Sequence, residues 1–360
     1  MSSYHVQQQE TMNLRMLAAL DELPEICSDF FLSIEQRTSI STRLGYAYDL
    51  RTFFNFVIQK KPEFGVSLPS ELTIEHMKRL QKRDFELYAR YLTSYVKEET
   101  DPETGNVKTH RISNHETAIK RKYAAIRALF KYLFSEGLIP ANYAQLASLP
   151  KLHEHAIIRL DIDEVARMLD VAENGDALPD SYKRFHDATH KRDLALLSLF
   201  LGTGIRISEC VGINIDDIDF EQNSFVVTRK GGKEAILYFS QEVADALSDY
   251  MKERKEIKAE PGHENAFFLS LQKKRISQRA VENMVKKYAR VAAPLKKKIS
   301  PHKLRSTFGT NLYRETGDIY LVADVLGHTD VNTTRKHYAA IAEDRRRIAA
   351  EKTVLRDDKR

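Results

Sequence analysis

The helical rhythm of apolar residues that organises most of this sequence lapses between Leu146 and Leu160, where the chain reads LASLPKLHEHAIIRL. At 360 residues the chain is too long for one typical core. The lapse therefore reads as a linker between two domains, 1–152 and 153–360. Both should fold, because 42% hydrophobic and 30% charged residues is a globular composition and not a disordered one.

The first domain reads as all helix. Leu44, Ala47, Leu50, Phe54 and Val57 step by threes and fours onto one face. Asp84 is placed to cap a second segment with Phe85, Ala89 and Leu92 inward. DPETGN, 101–106, is a turn cluster. Ser113 and Glu116 have the spacing of a capping box for a third helix, which carries Ile119, Tyr123, Ile126, Phe130 and Leu133 inward and ends at Gly137. Residues before about Gln36 form an additional helical extension. The third helix also carries Lys120, Arg127 and Lys131 on one stripe. A solvated surface is the plain reading of such a stripe; a face that tracks a nucleic-acid backbone is the sharper one.

In the second domain, Asp161 or Asp163 opens a helix through EVARMLDVA, and Leu194 to Leu201 is apolar nearly all round, as a buried helix is. FEQNSFVVTRKGGKEAILYF, 220–239, is the clearest β signal: two alternating runs flank Gly231-Gly232, a dipeptide suited to a tight primed turn. Ser277 caps a helix through Val291, Ser300-Pro301 opens one ending at Gly317, and Asp318 opens one stopping at Gly327. The fold class expected is mainly α with a small antiparallel sheet.

A net charge of +5 is compatible with a polyanionic partner without requiring one. Cys27 and Cys210 form no metal or disulfide pattern, which suits a reduced compartment. The N-terminus has no apolar signal region and no stretch approaches membrane-spanning length. A cytoplasmic protein is expected.

Several short patterns carry chemistry. In GTGIRISEC, 202–210, Arg206 sits between two isoleucines, and Glu209 lies within helical reach of it. A structural ion pair is one reading; an arginine held rigid to grip phosphate oxygens is the other. Lys230 and Lys233 flank the Gly-Gly pair, directly opposed if the loop has two residues, so both ammonium groups project from one tip. In SPHKLRSTFGTNLY, 300–313, His302 and Arg305 share a face near a helix start, and Leu304, Phe308 and Leu312 form the buried face. In LGHTDVNTTRKHYAAI, 326–341, Gly327 ends a helix just before His328, and Asp330 is placed to cap a short helix bearing Tyr338. His302, His328 and His337 lack carboxylate or thiol companions at metal-ligand spacing, so no metal site is expected.

In order, G-I-R-x-S-E, a hairpin lysine, H-x-x-R, G-H and Tyr resemble the tyrosine recombinase (phage integrase) family, across essentially the whole C-terminal half. Within it the chain is similar to the Xer recombinases, and among these to the XerS-type single recombinase, through the leading helical extension, TRKGGK and PHKLRS. The resemblance implies a helical, SAM-like core-binding domain followed by an α+β catalytic domain with a C-terminal tail helix. It implies that Tyr338 is a nucleophile forming a 3′-phosphotyrosyl ester, that Arg206 and Arg305 grip the nonbridging oxygens, and that His302 takes the phenol proton or bonds the phosphate. It further implies that His328 donates to the same phosphate, that Glu209 orients Arg206, and that Lys230 protonates the departing 5′-oxygen. Only the resemblance separates Lys230 from Lys233. A phenol with a pKa of about 10 needs such help near neutral pH, and preorganised guanidinium groups supply it without a metal. No cofactor, neither ATP nor metal, is implied.

The implied partner is double-stranded DNA, bound by a homo-tetramer on two recombination sites. The tail EDRRRIAAEKTVLRDDKR would dock on a neighbouring subunit, and an accessory or septum-associated protein is a candidate further partner, whose requirement the sequence leaves open. The implied roles are chromosome-dimer resolution in partition and cell division. Rival readings are a mobile-element integrase, a type IB topoisomerase and a non-catalytic DNA-binding regulator. Gln278 and Arg279, at the helix behind Ser277, suit base reading in the major groove. One departure is Ser306, where Xer proteins usually carry a second histidine. There is also no separate small arm-binding domain before the core-binding helices, which favours simple-site resolution.

Overall fold

The computed structural model describes residues 3–100, 106–151, 158–229, 232–296, 298–328 and 331. The chain divides into two compact units, Met1–His155 and Ala156–Arg360.

The first unit opens with α1 (Ser3–Asp21) and α2 (Ile26–Ser33), followed by α3 (Ile40–Lys60), α4 (Ile74–Lys78) and α5 (Lys82–Tyr91). Ser39 caps α3 by accepting from the Thr42 amide, and Asp84 accepts from the Gln81 amide at 2.8 Å to open α5. The core forms where the apolar spacing predicts. Phe53 stacks on Phe85 at 5.8 Å and meets Tyr88 and Phe130 edge-on. These contacts tie α3 and α5 to α6 (Glu116–Ser135). The leading extension joins the same core through Met16, Leu23, Cys27, Phe30 and Phe31. Gly137, with φ +69°, ends α6 in the left-handed conformation, and α7 (Tyr143–Leu146) follows.

Two expectations for this unit are corrected. It is not all helix: β1 (Ser94–Thr100) and β2 (Val107–Ser113) pair antiparallel from Ser94↔Ser113 to Thr100↔Val107. Tyr95 and Ile112 face each other at the hairpin base, where Tyr95 stacks on Tyr91 of α5 at 4.9 Å, so an aromatic and a β-branched residue seat the ribbon at its base. Of the turn cluster, 101–105 lie outside the described residues. The Ser113–Glu116 capping box does not form, because Ser113 is spent on β2 and α6 starts from His115.

The second unit is built round the buried α10 (His190–Thr203), against which α8 (Ile162–Asn174), α12 (Gln241–Glu256) and α14 (Pro301–Thr316) pack. Asp161 is the residue that opens α8: its amide donates to Glu164 at 2.7 Å. Short α9 (Asp180–His186) and α11 (Ile207–Gly212) flank α10. Strands β3 (Ile218–Asp219), β4 (Ser224–Thr228) and β5 (Glu234–Tyr238) form one antiparallel sheet in that order. The helices α13 (Gln278–Ala292) and α15 (Ile319–Leu326) complete the described part. Ser277 caps α13 through the Ala280 amide, and Asp318 caps α15 through the amides of Tyr320 and Leu321. The fold is mainly α with small antiparallel sheets, and no described helix is long and apolar enough to cross a membrane.

At the start of α10 a buried acid ties elements together. Asp193 accepts from Arg192 at 2.7 Å, and from Lys287 and Tyr288 of α13 at 2.9 Å each. Burial alone raises its pKa, but the charges and hydrogen bonds of Arg192 and Lys287 outweigh that and hold it below the ordinary carboxylate value.

Candidate active site

The site begins with a glycine. Gly204 follows the last turn of α10 at φ +63°, a conformation that favours residues without a Cβ. Space demands glycine too, since a methyl there would come within 2.5 Å of Phe308 and 2.8 Å of Leu326. The turn aims the Gly204 carbonyl at α14, where Arg305 donates to it at 2.5 Å.

Arg206 then opens α11. Its amide donates to one oxygen of Glu209 at 3.0 Å and its guanidinium to the other at 2.7 Å. Glu209 is buried, so both ends of its carboxylate are satisfied by one residue. The expected Arg–Glu pair is therefore present, and it leaves the rest of the Arg206 fork directed elsewhere.

Elsewhere is the end of α15. Gly327, at φ +59°, stops that helix, and the His328 amide turns back to Ala323 at 2.8 Å. The last carbonyls of any helix lack partners within it and carry the negative end of its dipole. Here guanidinium groups fill them. Arg206 donates to Leu326 at 3.3 Å and to Gly327 at 2.8 Å. Arg305, itself 6% exposed, donates to the same Leu326 carbonyl. Arg229, beyond β4, donates to Val325 at 3.3 Å. Three chain segments thus meet at one helix end through three guanidinium groups, two of them on a single oxygen. Two like charges about 5 Å apart repel by about 3 kcal/mol in partly solvated surroundings. Such a cluster is preorganised for an anion whose oxygens can replace the carbonyls, because charged acceptors hold guanidinium about twice as strongly as neutral ones.

His302 lies exposed in the first turn of α14, next to the turn that buries Arg305, and His328 follows the Gly327 stop. Ser306 donates its hydroxyl to the His302 carbonyl at 3.0 Å, so the departing residue folds back on its own helix. Lys230 and Tyr338 lie outside the described residues, as do His337, Asp330 and the tail.

The hairpin geometry corrects one expectation. Arg229 and Lys233, not Lys230 and Lys233, are the closing pair: the Arg229 amide donates to Lys233 at 2.7 Å, and the Gly232 amide to Arg229 at 3.1 Å. The loop has three residues, and Gly232 takes the left-handed conformation at φ +77° that such a loop requires.

Of the residues expected to meet DNA, Gln278 and Arg279 are exposed in the first turn of α13, with Arg279 paired to Glu282 at 3.2 Å. Lys131 is exposed and Lys120 half-buried. Arg127 is spent within the protein: it donates to Ala147 at 3.1 Å and Ala144 at 3.5 Å and lies over the Tyr123 ring. Two contributors escaped the sequence reading. Arg229 was hidden beside a conspicuous lysine, and Asp193 read as the end of the charged run His190–Asp193, with its partners Lys287 and Tyr288 more than ninety residues away.

Residues 159–345 match the phage integrase family model. The chain is 30% identical over 357 residues to tyrosine recombinase XerC of Caldanaerobacter subterraneus subsp. tengcongensis, covering 96% of this chain and 92% of that protein. It is 30% identical over 327 residues to XerC of Syntrophus aciditrophicus, covering 88% and 92%. Among solved structures it shares its fold with the Tn1549 transposon integrase in complex with circular intermediate DNA, at a TM-score of 0.59 and 21% identity, over 88% of this chain and 95% of that one. It also shares its fold with XerH bound to its difH substrate, at 0.57 and 16%, over 91% and 92%.

Proposed function

We propose, since this chain belongs to the phage integrase family and is a tyrosine site-specific recombinase, that it cuts and rejoins double-stranded DNA through a 3′-phosphotyrosyl ester on Tyr338. In this reading the Tyr338 oxygen attacks phosphorus and the bond to the 5′-oxygen breaks. Arg206 and Arg305 leave the Leu326 carbonyl for the nonbridging oxygens and stabilise the charge of the five-coordinate state. Glu209 keeps the Arg206 fork in place. His302 takes the phenol proton or bonds the phosphate, His328 donates to the phosphate, and Lys230 protonates the leaving oxygen. Because the ester conserves the phosphodiester bond, a second strand's 5′-hydroxyl reverses the step.

The observation that carries this reading is the convergence of Arg206 and Arg305 on one acceptor. The relatives matched over most of the chain are XerC proteins. That supports an Xer-type role in chromosome-dimer resolution, with residues 1–152 as core-binding domain, 153–360 as catalytic domain, and a tetramer whose tails dock on neighbours. The XerS-type reading adds that one protein suffices.

A suicide substrate, nicked so that the short fragment beyond the cut diffuses away, tests the chemistry. Wild type should give an SDS-stable protein–DNA adduct, and Tyr338→Phe should bind the site without forming one. An adduct that persists in Tyr338→Phe would refute the assignment. Sequencing DNA from the trapped complex, and recombining two copies of that site with the purified chain alone, would test the single-recombinase role. A need for a second recombinase would refute that finer reading.

A further inference from the structure

Arg229 is held at both ends. Its backbone closes the β4–β5 hairpin through Lys233 and Gly232, and its side chain reaches the end of α15 to donate to Val325 at 3.3 Å. The guanidinium occupies the place a side chain at position 327 would need: a Cβ on Gly327 would collide with it. Its Nε is buried without a hydrogen-bond partner among the described residues. An orphaned donor of a charged group is unusual inside a protein and calls for a reason.

Placement supplies one. The neighbour of Arg229 in sequence is Lys230, the candidate proton donor. The residue after Gly327 is His328, and the carbonyl between Val325 and Gly327 is the one shared by Arg206 and Arg305. A lysine on a hairpin tip has a long stem and many rotamers, so it delivers a proton reliably only if its backbone is fixed relative to the phosphate. A rigid fork seated on a helix end fixes a backbone better than an ammonium point charge would.

We propose that Arg229 is a positioning residue: it latches the hairpin onto the Gly327 turn and so sets Lys230 at working distance from the two-arginine site. The inference rests on the reading of Lys230 as proton donor. In the step concerned, the Tyr338 oxygen bonds to phosphorus and gives its proton to a base. The bond from phosphorus to the 5′-oxygen breaks with its electron pair on that oxygen. The Lys230 ammonium then protonates the oxygen and becomes a neutral amine.

The test replaces the bridging 5′-oxygen of the suicide substrate with sulfur. A thiolate leaves without a proton, so this strand bypasses the donor while keeping every other demand. Arg229→Met and Arg229→Lys, checked for site binding by mobility shift, should slow adduct formation on the oxygen strand roughly 10- to 100-fold. On the sulfur strand they should run near the wild-type rate, as Lys230→Ala should. Equal slowing of the Arg229 variants on both strands would show a general structural role and overturn the proposal, as would a wild-type rate on the oxygen strand. Failure of sulfur to rescue Lys230→Ala would remove the donor reading and the latch with it. Rescue of Lys230→Ala but not of the Arg229 variants would remove the latch alone.

Discussion

Arg206 and Arg305 donate to the same acceptor, the carbonyl oxygen of Leu326. One comes from the start of α11 and the other from the second turn of α14, and the acceptor ends α15. Gly204 interlocks the three, because its carbonyl receives Arg305 and its missing side chain admits Phe308 and Leu326.

Removing either arginine should cost more than charge. Arg206→Ala and Arg305→Ala should each lower the rate of adduct formation about 10²- to 10³-fold, the usual loss for one preorganised donor. Arg206→Lys should recover little, because a point charge cannot engage Glu209 and a phosphate together. Single-turnover trapping at saturating protein separates this loss from weakened binding.

Gly204→Ala should destabilise the second unit by more than about 1 kcal/mol, because alanine is strained at this positive φ and its methyl also meets Phe308 and Leu326. A lower urea midpoint for the second unit's unfolding checks this. An unchanged midpoint would mean the interlock is looser than its contacts indicate.

Asp193 should make stability depend on acid. Its pKa is held low in the folded chain by Arg192 and Lys287 against the opposing effect of burial. A carboxylate with a depressed folded value contributes stability that is present above its unfolded value, about 3.9. That contribution is lost as pH falls through the lower folded value. Wild type should therefore lose stability on acidification below about pH 4, and Asp193→Asn should lose less there. At neutral pH the variant should be destabilised by about 3–5 kcal/mol, since Arg192 and Lys287 lose the charge that compensates them. Urea unfolding at a series of pH values measures both.

The exposed start of α13 should read bases. Gln278→Ala and Arg279→Ala should each weaken site binding by about 1–3 kcal/mol and relax preference at one base position. Lys131→Ala should instead weaken binding to all sequences and reduce the salt slope by about 1. Titrations against a panel of mutated sites distinguish the two behaviours, and uniform losses for Gln278 and Arg279 would remove them from base reading.

Much of this was legible in the sequence because it is local. Capping residues and apolar spacing set α3, α8, α13, α14 and α15, and the Arg206–Glu209 pair follows from a three-residue step within one helix start. What was not legible depends on distant partners. Tyr95 and Ile112 pair across a turn into a ribbon where helix was expected. Arg127 looked like a surface cation until α7 arrived beneath it. The hairpin loop gained a residue because Arg229 pairs with Lys233, with Gly232 in the left-handed conformation. Motif order pointed to the arginines. That both would settle on Leu326 follows from how α10, α14 and α15 pack.

The most direct measurement is a double-mutant cycle on the rate of covalent adduct formation, using Arg206→Ala, Arg305→Ala and the pair. If both guanidinium groups serve one phosphorus, the losses should be strongly sub-additive, the double variant falling little below the worse single, as for residues that act as a unit. Losses that multiply in full would mean the two arginines act independently, and would contradict a shared phosphate site.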